Sequence, residues 1–198
     1  DINSRTSTGE TPLHIACNFD LDKIALLLID NNADVNLQDF DNELTPLSYC
    51  VTQNNHILTA LLLKNNANPN IQDFNGNTPL HYSIVENNIE IFNQLVRSIY
   101  TKNILNVNLY NTDSKLPIHI VLDNSYQKTN HYLQFLIPYS NMNFQDNDGN
   151  TPLHMLMKFN LGKEFISKLQ SKKLNVFIKN KNGKRPIDYI EKNDYEIA

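Results

Sequence analysis

The tetrapeptide Thr-Pro-Leu-His occurs at 11–14, 78–81 and 151–154, and Thr-Pro-Leu-Ser at 45–48. Weaker copies, Leu-Pro-Ile-His and Arg-Pro-Ile-Asp, stand at 116–119 and 185–188. Successive copies begin 34, 33, 38, 35 and 34 residues apart. A near-constant period of this length restricts the chain to a row of similar supersecondary units. Each unit is too small to bury its own apolar face and must stack on its neighbours.

The plan inside each period is the same. A polar run such as Asp-Phe-Asn-Gly-Asn (73–77) or Asp-Asn-Asp-Gly-Asn (146–150) reads as a turn. Thr-Pro follows. Threonine accepts a backbone N–H at a helix start, and proline is pre-set for the first helical turn, so a short helix is predicted there. After a polar break comes a second helix with apolar residues at helical spacing. In the first copy these are Ile24, Ala25, Leu27, Leu28 and Ile29. The expected core is the row Leu13, Leu47, Leu80, Ile118, Leu153 and Ile187 together with the second-helix Leu and Ile residues.

The period, the Thr-Pro-Leu-His tetrapeptide, the second helix ending in Leu-Leu-Leu and the Ala-Asp-Val-Asn tail closely resemble the ankyrin repeat. The resemblance covers nearly all 198 residues. It implies an all-α repeat solenoid, a helix-turn-helix stack with β-hairpin fingers, as a single domain over 1–198. Repeats fall at 7–38, 39–72, 73–110, 111–145, 146–179 and, incompletely, 180–198, with 1–6 as the tail of a preceding repeat. The copy at 111–145 departs most from the pattern and is the expected weak joint of the stack. The chain starts at Asp1 without a methionine, so an excised part of a longer protein is expected. Few glycines and many asparagines suit an AT-rich genome such as that of a large DNA virus, a protist or an intracellular bacterium.

In this family a glycine normally ends each helix in the left-handed conformation. Here Asn32 and Asn66 stand in that place after second helices, and Asn54 and Asn87 after first helices. Asparagine is the next residue to tolerate that conformation. The recurring Asn pairs are therefore read as helix stops, not as a binding site. His14, His81, His119 and His154 recur one per repeat, about 10 Å apart by helix packing, too far for one metal ion whose nitrogen ligands sit at about 2 Å. The resemblance gives them a role holding the turn beside the threonine. Asp39, Asp73 and Asp146 open their turns and are read as acceptors for backbone N–H groups.

No Gly-rich phosphate loop, GxSxG, HExxH or CxxC motif is present. No enzymatic activity, cofactor or metal is expected within the chain. Cys17 and Cys50 lie in apolar helical stretches and are read as reduced, buried thiols, which favours a cytoplasmic or nuclear setting. A net charge of −4 with no basic stripe argues against nucleic-acid binding, and no apolar run reaches the length of a membrane span.

The expected function is protein–protein interaction, by a chain that is a monomer on its own. Candidate contacts at the finger tips are Phe40, Asp41, Phe74 and Asn75. At the ends of the first helices, which face the family's concave groove, they are Phe19, Gln53, Glu86 and Phe159. The 38-residue step is read as an inserted loop near 98–106, close to Tyr100, Tyr110, Tyr126, Tyr132 and Tyr139, and adds Tyr110 to the contacts. Asn36, in Asp34-Val35-Asn36, resembles the site that asparaginyl hydroxylases accept in ankyrin repeats. The alternative reading is the substrate-recruiting region of a larger enzyme or pathogen effector acting in host cytoplasm.

Overall fold

The Thr-Pro steps do start helices. The computed structural model describes residues 1–102, 105–123, 129–161 and 163–190. Thr11, Thr45, Thr78 and Thr151 are extended residues at helix N-termini, each followed by proline. They open α1 (Pro12–Asn18), α3 (Pro46–Thr52), α5 (Pro79–Val85) and α9 (Pro152–Lys158). α7 (Pro117–Asp123) starts the same way after Leu116. The second helices are α2 (Asp22–Asp30), α4 (His56–Lys64), α6 (Ile89–Lys102), α8 (Thr129–Tyr139) and α10 (Ile166–Leu169). The last copy contributes one 3-10 helix, Pro186–Tyr189. No strand occurs among the described residues.

The histidines close the helix starts. The backbone N–H of Thr11 donates to His14 Nδ1 at 3.0 Å, and that of Thr151 to His154 Nδ1 at 3.0 Å. With Nδ1 accepting, the ring proton sits on Nε2, which donates to the Leu44 carbonyl at 3.1 Å in the first case and to Lys184 at 3.0 Å in the other. Each histidine thereby ties its own helix to the following turn. The helix stops are as expected: Asn32, Asn54, Asn66 and Asn87 have φ of 65°, 59°, 66° and 50°. Asp20 and Asn160 take the same conformation after α1 and α9.

Contacts divide the chain into two compact units, Asp1–Thr112 and Asp113–Ala198. In the first, α1 packs on α2 and α3, α3 on α4 and α5, and α6 on α4 and α5. Leu13, Leu47 and Leu80 are fully buried, as are Leu58, Leu62, Phe92 and Leu95 from the second helices. In the second, α7 packs on α8 and α9, and α9 on the 3-10 helix. Its core holds Ile118, Leu153, Leu133, Leu136 and Phe165.

Three expectations are corrected. Ile187 is 42% exposed: its copy forms a single 3-10 turn that packs on α9, and among the described residues no second helix of its own copy covers it. Ile24 and Leu27 are exposed, and Ala25 is the fully buried apolar residue of α2, because among the described residues α2 packs chiefly on α1 and α4. The extra residues of the 38-residue step extend α6 to 14 residues, against nine in α2 and α4, rather than forming a loop from residue 98. Tyr132 is core; Tyr126 and the side chain of Tyr100 lie outside the described residues.

Within each unit, neighbouring repeats are joined by an asparagine ladder. Asn3 Oδ1 accepts the N–H of Asp34 at 2.9 Å, Asn36 Oδ1 that of Asn68 at 2.7 Å, and Asn70 Oδ1 that of Asn106 at 2.7 Å. In the second unit Asn143 Oδ1 accepts from Asn175 at 2.8 Å. Phe177 stands in that place in the last copy.

The finger at 73–77 is a tight turn closed by two backbone hydrogen bonds, Asp73 N–H to the Asn77 carbonyl at 2.9 Å and Gly76 N–H to the Asp73 carbonyl at 2.8 Å. Gly76 supplies the left-handed residue, φ +73°, and a methyl group there would lie 2.9 Å from Asn111 Cα. Gly183, φ +72°, has open space around it. Gly183→Ala should cost about 1 kcal/mol through the backbone alone, and Gly76→Ala at least about twice that, since backbone must move. Urea midpoints of the two variants test this; equal losses would deny the close approach any cost.

Candidate partner-binding surface

The finger turns are fixed from below and linked side to side. Asp39 Oδ1 accepts the Asn42 N–H at 2.8 Å, and Asp73 Oδ1 accepts those of Asn75 and Asn77 at 2.9 and 2.7 Å. The other carboxylate oxygen of each accepts a phenol: Tyr49 OH donates to Asp39 Oδ2 at 3.0 Å, and Tyr82 OH to Asp73 Oδ2. Burial first, then this hydrogen bond, pushes both phenols up in pKa, so each remains a donor. Gln38 Nε2 reaches the Gln72 carbonyl at 2.9 Å, and Gln72 Nε2 the Tyr110 carbonyl at 2.8 Å. Backbone bonds join the tips: Phe40 N–H to Thr8 carbonyl at 2.8 Å, and Phe74 N–H to Asn42 carbonyl at 3.0 Å.

On this frame Phe40 is 63% and Phe74 71% exposed. Phe40 is nevertheless held. A methyl group at Gly9 would lie 2.4 Å from its Cγ, and the Arg5 guanidinium carbon sits 4.8 Å from its ring centre. Arg5 Nη1 is itself anchored on the carbonyls of Gly9 and Gln38, at 2.9 and 2.6 Å. An exposed aromatic whose backbone, seat and covering cation are all fixed loses little freedom on binding. Asp41 and Asn75 are exposed beside the rings.

The second group of candidates is also at the surface. Phe19, Gln53 and Glu86 are the residues immediately after α1, α3 and α5, so they lie on consecutive helix ends of the first unit. Phe19 is 66% exposed, and Gln53 Nε2 donates to Asn18 Oδ1 at 3.1 Å. Phe159 follows α9 in the second unit, with Lys158 Nζ 5.3 Å over its ring. Tyr110 is exposed at the edge of the first unit. Asn36 is half-buried: besides its ladder bond, its Nδ2 donates to the Asn66 carbonyl at 3.4 Å.

Sequence reasoning missed two features. Arg5 stands one period before Gln38, in the place of the linking glutamine, and that offset was the available signal. The finger at 39–44 is one residue longer than its neighbours, its backbone bond running from Asp39 to Leu44, and the 34-residue step recorded this. The extra residue brings Asp41 and Glu43 to one tip. Charge is also unevenly divided: residues 1–112 hold twelve acidic and five basic side chains, and 113–198 hold nine and twelve.

Among the described residues, no cluster of His, Cys, Asp and Glu could hold a metal ion, and no helix is long and apolar enough to cross a membrane. Cys17 and Cys50 are buried free thiols. The family model for ankyrin repeats (three copies) matches residues 37–106, and that for ankyrin repeats (many copies) matches residues 1–50. The sequence is 38% identical, over 216 aligned residues, to an ankyrin repeat protein of Acanthamoeba polyphaga mimivirus. The match takes in the whole of this chain and 28% of that relative's length. These matches fall on the helix pairs and their threonine-histidine starts, and the chain belongs to the ankyrin repeat family.

Proposed function

We propose that this chain is a protein-interaction module that grips a protein partner with the finger tips and first-helix ends of residues 1–112. The observation that carries this reading is Phe40: mostly exposed, yet seated on Gly9 and covered by Arg5. Phe74 supplies a second apolar anchor, while Asp41 and Glu43 favour a partner that offers basic groups around apolar pockets. Asn75, Phe19, Gln53, Glu86 and Tyr110 add contacts on the same unit, and Phe159 a separate one on 113–198. An interface of about 1,600 Å² in total is expected. The chain acts as a monomeric scaffold in cytoplasm, without catalysis of its own.

The test is capture from a eukaryotic lysate by the wild-type chain and by the Phe40→Ala, Phe74→Ala double variant. The specific partner should fall at least about tenfold with circular dichroism unchanged. Equal recovery of every specific partner would refute the finger surface. A second reading is favoured by the match spanning only 28% of the viral relative: the array recruits host proteins to a larger protein that acts on them. Asn36 could then meet a host asparaginyl hydroxylase only when its two hydrogen bonds open.

A further inference from the structure

α2 and α4 occupy the same place in consecutive repeats, so they pack side by side and run in the same direction. Between them is an open groove of about 400 Å³. Leu26, Ile57, Ala60 and Leu61 form its apolar walls, and Lys23 and Lys64 lie on its rim. Leu26 is 45% and Ile57 56% exposed. The fold does not demand this: one period on, in α6, Glu90, Asn93 and Gln94 stand in the places of Ile57, Ala60 and Leu61. Each wall of the groove is backed by its own first helix, α2 by α1 and α4 by α3.

Charge indicates what fits. Asp22, the one acid on the groove, accepts a hydrogen bond from Asn55 Nδ2 at 3.2 Å. Lys23 and Lys64 are exposed and form no ion pair among the described residues. They are two of only five basic residues in an acidic unit, and both border the same apolar trough. Two parallel helices leave a furrow matched to a third helix, about 10 Å in diameter. We propose that this groove receives an amphipathic helix of a partner protein, apolar on the buried face and acidic along its flanks. Apolar residues at i, i+3, i+4 and i+7 would cover Leu26, Ile57 and Leu61, and flanking carboxylates would pair with Lys23 and Lys64. A phosphate backbone would satisfy the lysines but leave Leu26 and Ile57 wet. The groove is separate from the finger tips, so this inference does not rest on them.

The experiment uses the full chain and a fluorescent synthetic helix of about 18 residues, with leucine at those four positions and glutamate at the flanks. A second helix carries lysine in place of glutamate, and a single-stranded oligonucleotide of about 20 thymidines serves as a third probe. Fluorescence anisotropy should show saturable binding of the acidic helix alone. Lys23→Glu with Lys64→Glu should weaken it at least about tenfold, Ile57→Ser should abolish it, and Phe40→Ala with Phe74→Ala should leave it unchanged. Amide NMR shifts confined to α2 and α4 would confirm the place and the intact fold of each variant. Equal binding of the lysine helix, indifference to the lysine reversals, or binding of the oligonucleotide at these helices would overturn the proposal. So would sedimentation showing a dimer that Ile57→Ser dissociates, which would make the occupant a second copy.

Discussion

Lowering the pH from 7 to 4 should remove about 3 kcal/mol of stability from residues 113–198, through His119. The ring is fully buried, and burial pushes its pKa down to about 4, against attraction from Asp146 and Asp123. Its Nδ1 accepts the Leu116 N–H at 3.2 Å, a bond that an imidazolium could not accept. Its Nε2 faces the Asn150 carbonyl, the counterpart of Leu44 for His14 and of Lys184 for His154, without the close hydrogen bond those two form. In the unfolded chain the ring takes a proton near pH 6.5. Above that value both states are neutral and stability is independent of this group. Between 6.5 and about 4 the unfolded chain holds a proton that the folded chain does not, and each unit of pH costs about 1.4 kcal/mol. Below about 4 the folded ring also charges and the loss levels off. Burial lowers His14 and His154 in the same direction. For a unit of this size, 3 kcal/mol corresponds to about 15 °C in melting temperature. Melting curves at pH 7, 5 and 4 should show that fall, and His119→Leu should remove much of the slope. A wild-type melting temperature that is flat from pH 7 to 4 would contradict the assignment.

Two phenylalanines should respond oppositely to the same change. Phe92, in α6, is fully buried, and Phe92→Ala should cost about 4 kcal/mol from lost transfer energy and the cavity left behind. Phe74 is 71% exposed, and Phe74→Ala should alter stability by no more than about 0.5 kcal/mol. Because stacked repeats interact chiefly with their neighbours, the Phe92 loss should concentrate in the helices packed on α6. Urea unfolding followed by tyrosine fluorescence, with hydrogen exchange to locate the loss, measures both. A Phe74→Ala variant as unstable as Phe92→Ala would mean that the exposed ring is a structural residue.

Features set by one residue and its immediate neighbours were legible in the sequence. The left-handed stops at Asn32, Asn54, Asn66 and Asn87 depend on local sterics, and the Thr-Pro starts on a cap and a fixed φ. Features set by residues one period away were harder. Nothing near Phe40 announces that Gly9 will seat it and Arg5 cover it. Apolar spacing in α2 marks Ile24 and Leu27 as helix-face residues but not which neighbour covers them, and both are exposed. Ile187 keeps the pattern of its row, but its copy offers one 3-10 turn and, among the described residues, no second helix to cover it. The net charge of −4 is the sum of two units of opposite balance, and hid the placing of Lys23 and Lys64.

The asparagine ladder has a consequence for how such a gene can change. Each rung presents an acceptor to one neighbour and a backbone donor to the other, in the same chemistry from copy to copy. Unequal recombination that duplicates one whole period would insert a rung that mates on both sides. Loss of part of a period would leave an acceptor and a donor out of register. Within the laddered stretch, heritable growth and shrinkage are thereby quantised in units of the repeat, and the amide side chain sets the size of the step.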